Sequence, residues 1–102
     1  MAQFDVYRGP QPKTFPLLVD VQPALLAGLG SRVVIPMLRL DRYGARPITH
    51  LHPVVDIDGT AYVVMAHELA AIPATALIKP VATLAAHRGA LLRALDLLLT
   101  GS

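Results

Sequence analysis

The sequence predicts an α+β fold, mainly β, in which an antiparallel sheet or small barrel carries one long C-terminal helix. Three observations carry this. Short apolar runs broken by Pro and Gly fill most of the first 80 residues. Asp58-Gly59 is the preferred dipeptide of a two-residue hairpin. Helical periodicity is sustained only over Val81–Thr100.

Gln3 to Arg8 sets Phe4 and Val6 against Asp5 and Tyr7, the alternation of a half-buried strand. Gly9-Pro10-Gln11-Pro12 is a turn or loop. Phe15 to Val21 is a second strand, antiparallel to the first across that short connection, and Gln22-Pro23 ends it. Ala24-Leu25-Leu26-Ala27 is a short apolar segment before Gly28 and Gly30, either a core plug or an exposed contact. Arg32 to Leu40 is the strongest strand signal. Pro36 inside it removes one ladder donor and implies a bulge, a bend or an edge. Asp41 to Gly44 reads as a turn and Ile48 to Leu51 as a short strand. Pro53 to Ile57 and Thr60 to Met65 are the arms of the Asp58-Gly59 hairpin. His67 to Ile72 reads as a helical turn stopped by Pro73, and Ala76 to Ile78 as a last short strand. Pro80 suits the first turn of the final helix.

On that helix Leu84, Leu91, Leu95 and Leu98 form one apolar stripe, widened by Ala85, Leu92 and Leu99. Ala86, Ala90, Ala94 and Leu97 form a second face of mostly small residues, and Gly89, Arg93, Asp96 and Thr100 a polar strip. A domain this small has little interior in which to bury a helix on all sides. One apolar face is therefore expected on the chain's own core, and the Ala86, Ala90, Ala94 and Leu97 face on a second copy, as a homodimer interface.

Composition sets bounds. A chain of 102 residues reads as one domain, 1–102, and 54% hydrophobic against 16% charged residues argues for a folded protein. A net charge of +2 is too small to imply direct nucleic-acid binding, and Arg32, Arg39, Arg42 and Arg46 read as a solvated sheet face. The absence of cysteine excludes disulfides, thiolate metal sites and thiol catalysis, and fits a cytoplasmic protein. The start of the chain lacks the pattern of a signal peptide. His87, Arg88, Arg93 and Asp96 interrupt the last helix too often for a membrane span.

The search for chemistry yields no catalytic constellation. His50 and His52 would share a strand face at a spacing that chelates zinc, yet no further ligands converge at helical spacing, so no metal or other cofactor is expected. Asp56 and Asp58 are explained by the turn. His67-Glu68 are neighbours that do not face each other on a helix. Gly28 to Gly30 lack the lysine and length of a phosphate loop, and Ser31 and Ser102 have no nucleophile context. The residues alone point to a small dimeric binding module.

Several motifs in order point further. They are MAQFDVY at the start, LLVDVQ at Leu17–Gln22, RVVIPM at Arg32–Met37, LHPVVDIDG at Leu51–Gly59, AIP at Ala71–Pro73, and the C-terminal leucine-rich helix. Together, over the whole chain, they resemble the CcdB toxins of bacterial toxin–antitoxin pairs. The resemblance implies an antiparallel five-stranded sheet in an SH3-like barrel, a small extra sheet, a long C-terminal helix and a homodimer. It implies no enzymatic activity. CcdB-like toxins insert into the DNA gyrase A-subunit dimer and trap the gyrase–DNA cleavage complex, and a cognate antitoxin removes them. Direct contact with nucleic acid is implied only within a toxin–antitoxin operator complex. The gyrase-binding positions carried over are Leu25 and Leu26 in the loop after the second strand, and Asp96, Thr100, Gly101 and Ser102 at the helix end. Where the family pattern has an asparagine, a tryptophan and an isoleucine, this chain has Asp96, Thr100 and Ser102. Two alternatives follow. One is a family member with lost or altered gyrase activity that keeps antitoxin binding. The other is an RNA-cleaving toxin of related fold, with Arg32 or Arg39 and Asp20 as its reactive groups.

Overall fold

The computed structural model describes residues 2–101, and among them every strand pairing is antiparallel. The first two apolar runs become β1 (Asp5–Arg8) and β2 (Leu17–Asp20), paired with Val6 opposite Val19 and Arg8 opposite Leu17. The connection turns tightly at Gly9, whose N–H donates to the Pro16 carbonyl at 3.0 Å. β3 (Ser31–Arg39) is the long central strand. One of its edges pairs with β2. The other is shared by β6 (Ala70–Pro73) at Ser31–Val34 and β5 (Thr60–Val64) at Met37–Arg39. Pro36 lies where the partner changes. Its carbonyl accepts the Met65 N–H at 3.0 Å, so its donor-less side faces the gap between β6 and β5, where no ladder bond is lost.

β4 (Val54–Ile57) and β5 form the predicted hairpin, with Ile57 opposite Thr60. Asp58 (φ 52°) and Gly59 (φ 83°) are both left-handed, the requirement of the tight turn that matches strand twist. The Asp56 carboxylate accepts the Gly59 N–H at 2.9 Å. The sheet order is β4-β5-β3-β2-β1-β7, with β7 at Ala82–Thr83 and β6 also on β3. This is one seven-stranded sheet wrapped into a nearly closed barrel, in place of the expected five strands plus a separate small sheet.

Both faces of the sheet are covered. Phe4, Val6, Leu17, Val19, Ile35, Met37, Val55 and Val64 meet Leu84, Leu91 and Ala94 in the main core. Tyr7, Leu18, Val34 and Leu77, with Ile72, form a smaller core on the other side. Tyr7 is therefore buried, although its place in the strand alternation marks it as outward-facing. Burial in this setting raises its hydroxyl pKa, helped by the carboxylates of Asp5 and Asp20 and partly offset by Arg32.

Other local expectations are corrected. Residues 41–44 belong to a helical turn, α1 (Leu40–Tyr43), closed by left-handed Gly44 at φ 73°. Ile48–Leu51 is a turn, with the Leu51 and His52 N–H groups on the Ile48 carbonyl. The turn expected at 67–72 is confined to Ala66–Glu68, after which the chain extends into β6. Ala76–Ile78 is not a strand. The final helix, α2, spans Arg88–Thr100 and does not begin at Val81. Residues 81–84 bind β1 first: Val81 N–H donates to Val6 O and Leu84 N–H to Phe4 O, each at 2.8 Å. A single 3-10 turn at Ala85–His87 then leads into α2, so Pro80 precedes a strand. Tertiary pairing overrides a helical pattern over these residues.

Candidate functional site

Pro23 opens a 3-10 turn over Ala24–Leu26, with Leu26 N–H on the Pro23 carbonyl and Ala27 N–H on that of Ala24. The turn is too short to fold its side chains inward. Leu25 is 90% exposed and Leu26 37%, so this segment is an outward contact and not a core plug. Leu29, next along the loop, is also exposed.

The end of α2 is the second exposed feature. Gly101 adopts φ 77° and its N–H caps the Leu97 carbonyl at 3.0 Å, the left-handed stop for which glycine is preferred. The Thr100 hydroxyl donates to the Asp96 carbonyl at 2.7 Å, folding the side chain back on its own helix. Ser102 lies outside the described residues. Leu99 is 73% exposed and is the large apolar side chain presented by this tip. The sequence pattern placed it at the margin of the core stripe. Nothing in the periodicity separates an outermost stripe residue from an inner one.

The predicted small-residue face divides between the 3-10 turn, which holds Ala86, and α2, which holds the rest. Ala86 and Ala90 are exposed and Leu97 half-buried. Ala94 is corrected: it is fully buried in the chain's own core, beside Leu91, and has no surface left for a second copy. Ala90, Gly89 and Arg93 form one wall of a groove of about 440 Å³, and His50, Pro53 and Val54 form the other.

Two polar groups lie inside the fold. Asp20 and Arg32 form a fully buried ion pair, in which one carboxylate oxygen accepts from Arg32 Nε at 2.9 Å and lies 2.8 Å from Nη2. The other oxygen accepts the Gln22 N–H at 3.0 Å, and Nη2 also donates to the Gln22 carbonyl at 2.8 Å. Arg32 is thus no part of a solvated basic face. Neither it nor Asp20 can meet an RNA strand, which removes the pair from the RNA-cleaving reading. Arg39 is exposed and its partner is Asp41, at 2.7 Å.

The second group is His52, 4% exposed, whose Nδ1 accepts the Ile48 N–H at 3.0 Å and whose Nε2 lies 2.8 Å from His67 Nδ1. Burial lowers the His52 pKa, and the neighbouring His67 lowers it further. His50 sits on the turn at φ 68°, exposed, so the two histidines do not share a strand face. Nothing in the local pattern pairs His52 with His67, because the two lie 15 residues apart. Among the described residues no cluster of three or more metal-ligating side chains forms, and no helix is long and apolar enough to cross a membrane. Compared with known protein families, residues 3–101 match the model described as CcdB protein.

Proposed function

Because the chain belongs to the CcdB family, a family of toxins from toxin–antitoxin pairs, we propose that it binds the DNA gyrase A subunit and traps the gyrase–DNA cleavage complex. A cognate antitoxin reverses this, and the working form is a homodimer in the cytoplasm. The toxin performs no bond chemistry of its own. It acts as a wedge whose affinity comes from apolar side chains buried against the target.

The observation that carries the reading is a pair of outward apolar features: Leu25 and Leu26, at positions the family pattern assigns to gyrase, and Leu99, next to the assigned Thr100 at the tip of α2. A tip of Asp96, Thr100, Gly101 and Ser102 lacks the family's aromatic anchor, and Leu99 supplies apolar surface one residue earlier. Ala90 and Leu97 of α2, with Ala86 of the 3-10 turn before it, are the proposed dimer face, without Ala94. A second reading rests on Thr100, whose hydroxyl is turned back onto Asp96: a member that keeps its antitoxin and has lost gyrase poisoning.

The test is purified protein with the host's own gyrase and plasmid DNA. Accumulation of cleaved, protein-linked DNA supports poisoning. Its absence, with tight antitoxin binding retained, supports the second reading.

A further inference from the structure

The ring-to-ring contact of His52 and His67 has no part in the proposed gyrase surface, and its hydrogen bonds fix where its protons sit. His52 Nδ1 faces the Ile48 N–H at 3.0 Å and must be an acceptor. Neutral His52 therefore carries its proton on Nε2, which points at His67 Nδ1 2.8 Å away. His67 Nδ1 is then an acceptor too, and its proton sits on Nε2, 3.7 Å from a Glu68 carboxylate oxygen. The Ile48 N–H donates to His52 and His52 donates to His67, and Glu68 lies beside the far nitrogen of His67.

This arrangement has no place for an extra proton. An imidazolium has two donors and no acceptor. A proton added to His52 sets Nδ1–H against the Ile48 N–H. A proton added to His67 sets Nδ1–H against His52 Nε2–H. If His52 changes tautomer to accept it, its own proton moves to Nδ1 and again meets Ile48. Whichever ring is charged, one link breaks. The groups around the pair are Tyr43 of α1, edge-on to His52 at 6.0 Å, Glu68 beside His67, His50 in the same turn and Arg93 across the groove. Glu68 is the acidic group beside His67, the more exposed ring, and Arg93 is the basic group on the facing helix. The held segment also carries His50 in the left-handed region at φ 68°, a conformation that persists only while its surroundings impose it.

We propose that His52 and His67 form a proton-operated latch: uptake of one proton releases the 48–52 turn and reshapes the groove between that turn and α2. The turn supplies His50 to the groove and leads directly into Pro53 and Val54, while α2 supplies Gly89, Ala90 and Arg93. The surface beside exposed Ala90 of α2 therefore differs between neutral and mildly acidic solution. This holds whatever occupies the groove and does not depend on gyrase.

The test is an NMR titration of the full chain from pH 8 to pH 5, following the ring nitrogens and the amides of residues 48–52. At pH 8 both rings are expected as the Nε2–H form. On acidification the amides of Ile48, Thr49 and Leu51 move with the same midpoint as the rings. In His67→Gln, which keeps an acceptor for His52 but takes up no proton, that midpoint moves to lower pH. In His52→Gln the amide movement is lost. An Nδ1–H tautomer on His52, or amides that stay still while the rings protonate, overturns the latch. So does a midpoint unchanged in His67→Gln, an exposed position whose variant settles the matter even if His52→Gln does not fold.

Discussion

The buried Asp20–Arg32 pair offers the sharpest test of how the barrel is held together. Asp20 Oδ2 takes two guanidinium contacts, at 2.9 and 2.8 Å, and both side chains are wholly shielded from solvent. Arg32→Met leaves the Asp20 carboxylate buried with only the Gln22 N–H. Asp20→Leu leaves the guanidinium with only the Gln22 carbonyl. Breaking a buried pair from one side costs about 3–5 kcal/mol. A domain of this size has a total stability of about 5–15 kcal/mol, so each single variant is expected to lose roughly a fifth of it or more. At roughly 4–8 °C per kcal/mol, melting falls by at least ~12 °C. The double variant is expected to recover most of the loss. Two apolar side chains then fill the space, and Arg32 Nη1, buried without a hydrogen-bond partner, is removed along with the charge. Urea unfolding of the four proteins gives the coupling energy directly, expected at about 3 kcal/mol or more. Single costs below about 1 kcal/mol, the range of exposed ion pairs, or costs that simply add in the double variant, refute the reasoning.

Leu91→Ala empties the point where α2 meets the barrel core and is expected to cost about 2–5 kcal/mol in urea unfolding. Gly9→Ala places a methyl group on the Phe15 carbonyl oxygen, closer than such contacts occur, and the rigid backbone there should lower stability by about 1–3 kcal/mol in calorimetry. His52 sits below its ordinary pKa of 6.5 in the folded chain, so the unfolded chain binds more protons near and below that pH. Its contribution is present in full above pH 6.5 and shrinks as pH falls toward the lower folded value; urea midpoints at neutral and mildly acidic pH should show this slope, and His52→Gln should flatten it. Leu25→Asp and Leu99→Asp lie on open surface, so stability should stay within about 0.5 kcal/mol while growth arrest on expression is lost. Arrest that persists in both variants removes these residues from the target contact.

Where structure follows from neighbours in the chain, the sequence was legible. The Asp58-Gly59 hairpin needs only two left-handed residues and two apolar arms, and it is found as read. The Leu84 and Leu91 stripe does face the core, but the helix beneath Leu84 is absent, because Val81 and Leu84 bond to β1 from the far end of the chain. The run Ile48 to Leu51 reads as a short strand, yet a histidine ring accepts the Ile48 N–H and the segment folds into a turn. Ala94 shows the limit of helical wheels: a face drawn at ideal spacing includes a residue that the curved sheet reaches and buries. Of the candidate site, Leu25 and Leu26 were visible as an anomaly, two leucines between turn signals. Leu99 and the histidine pair depend on the three-dimensional path alone.

The forked pairing of β3 has a consequence for how this chain can change length. Three strands take their alignment from Ser31–Arg39: β2 on one side, β6 and β5 on the other. Side chains alternate between the two faces with a period of two, so deleting or inserting one residue in β3 exchanges inside for outside on its far portion. A slip between Val34 and Met37 would turn Met37 out of the main core onto the face that Val34 occupies and misalign the hairpin carried by β5. Insertions at residues 10–14 or 45–47 disturb no ladder. Descendants of this sequence that still fold should therefore vary in length in those loops and keep β3 at a fixed count, with Pro36 where its missing N–H costs β3 no ladder bond.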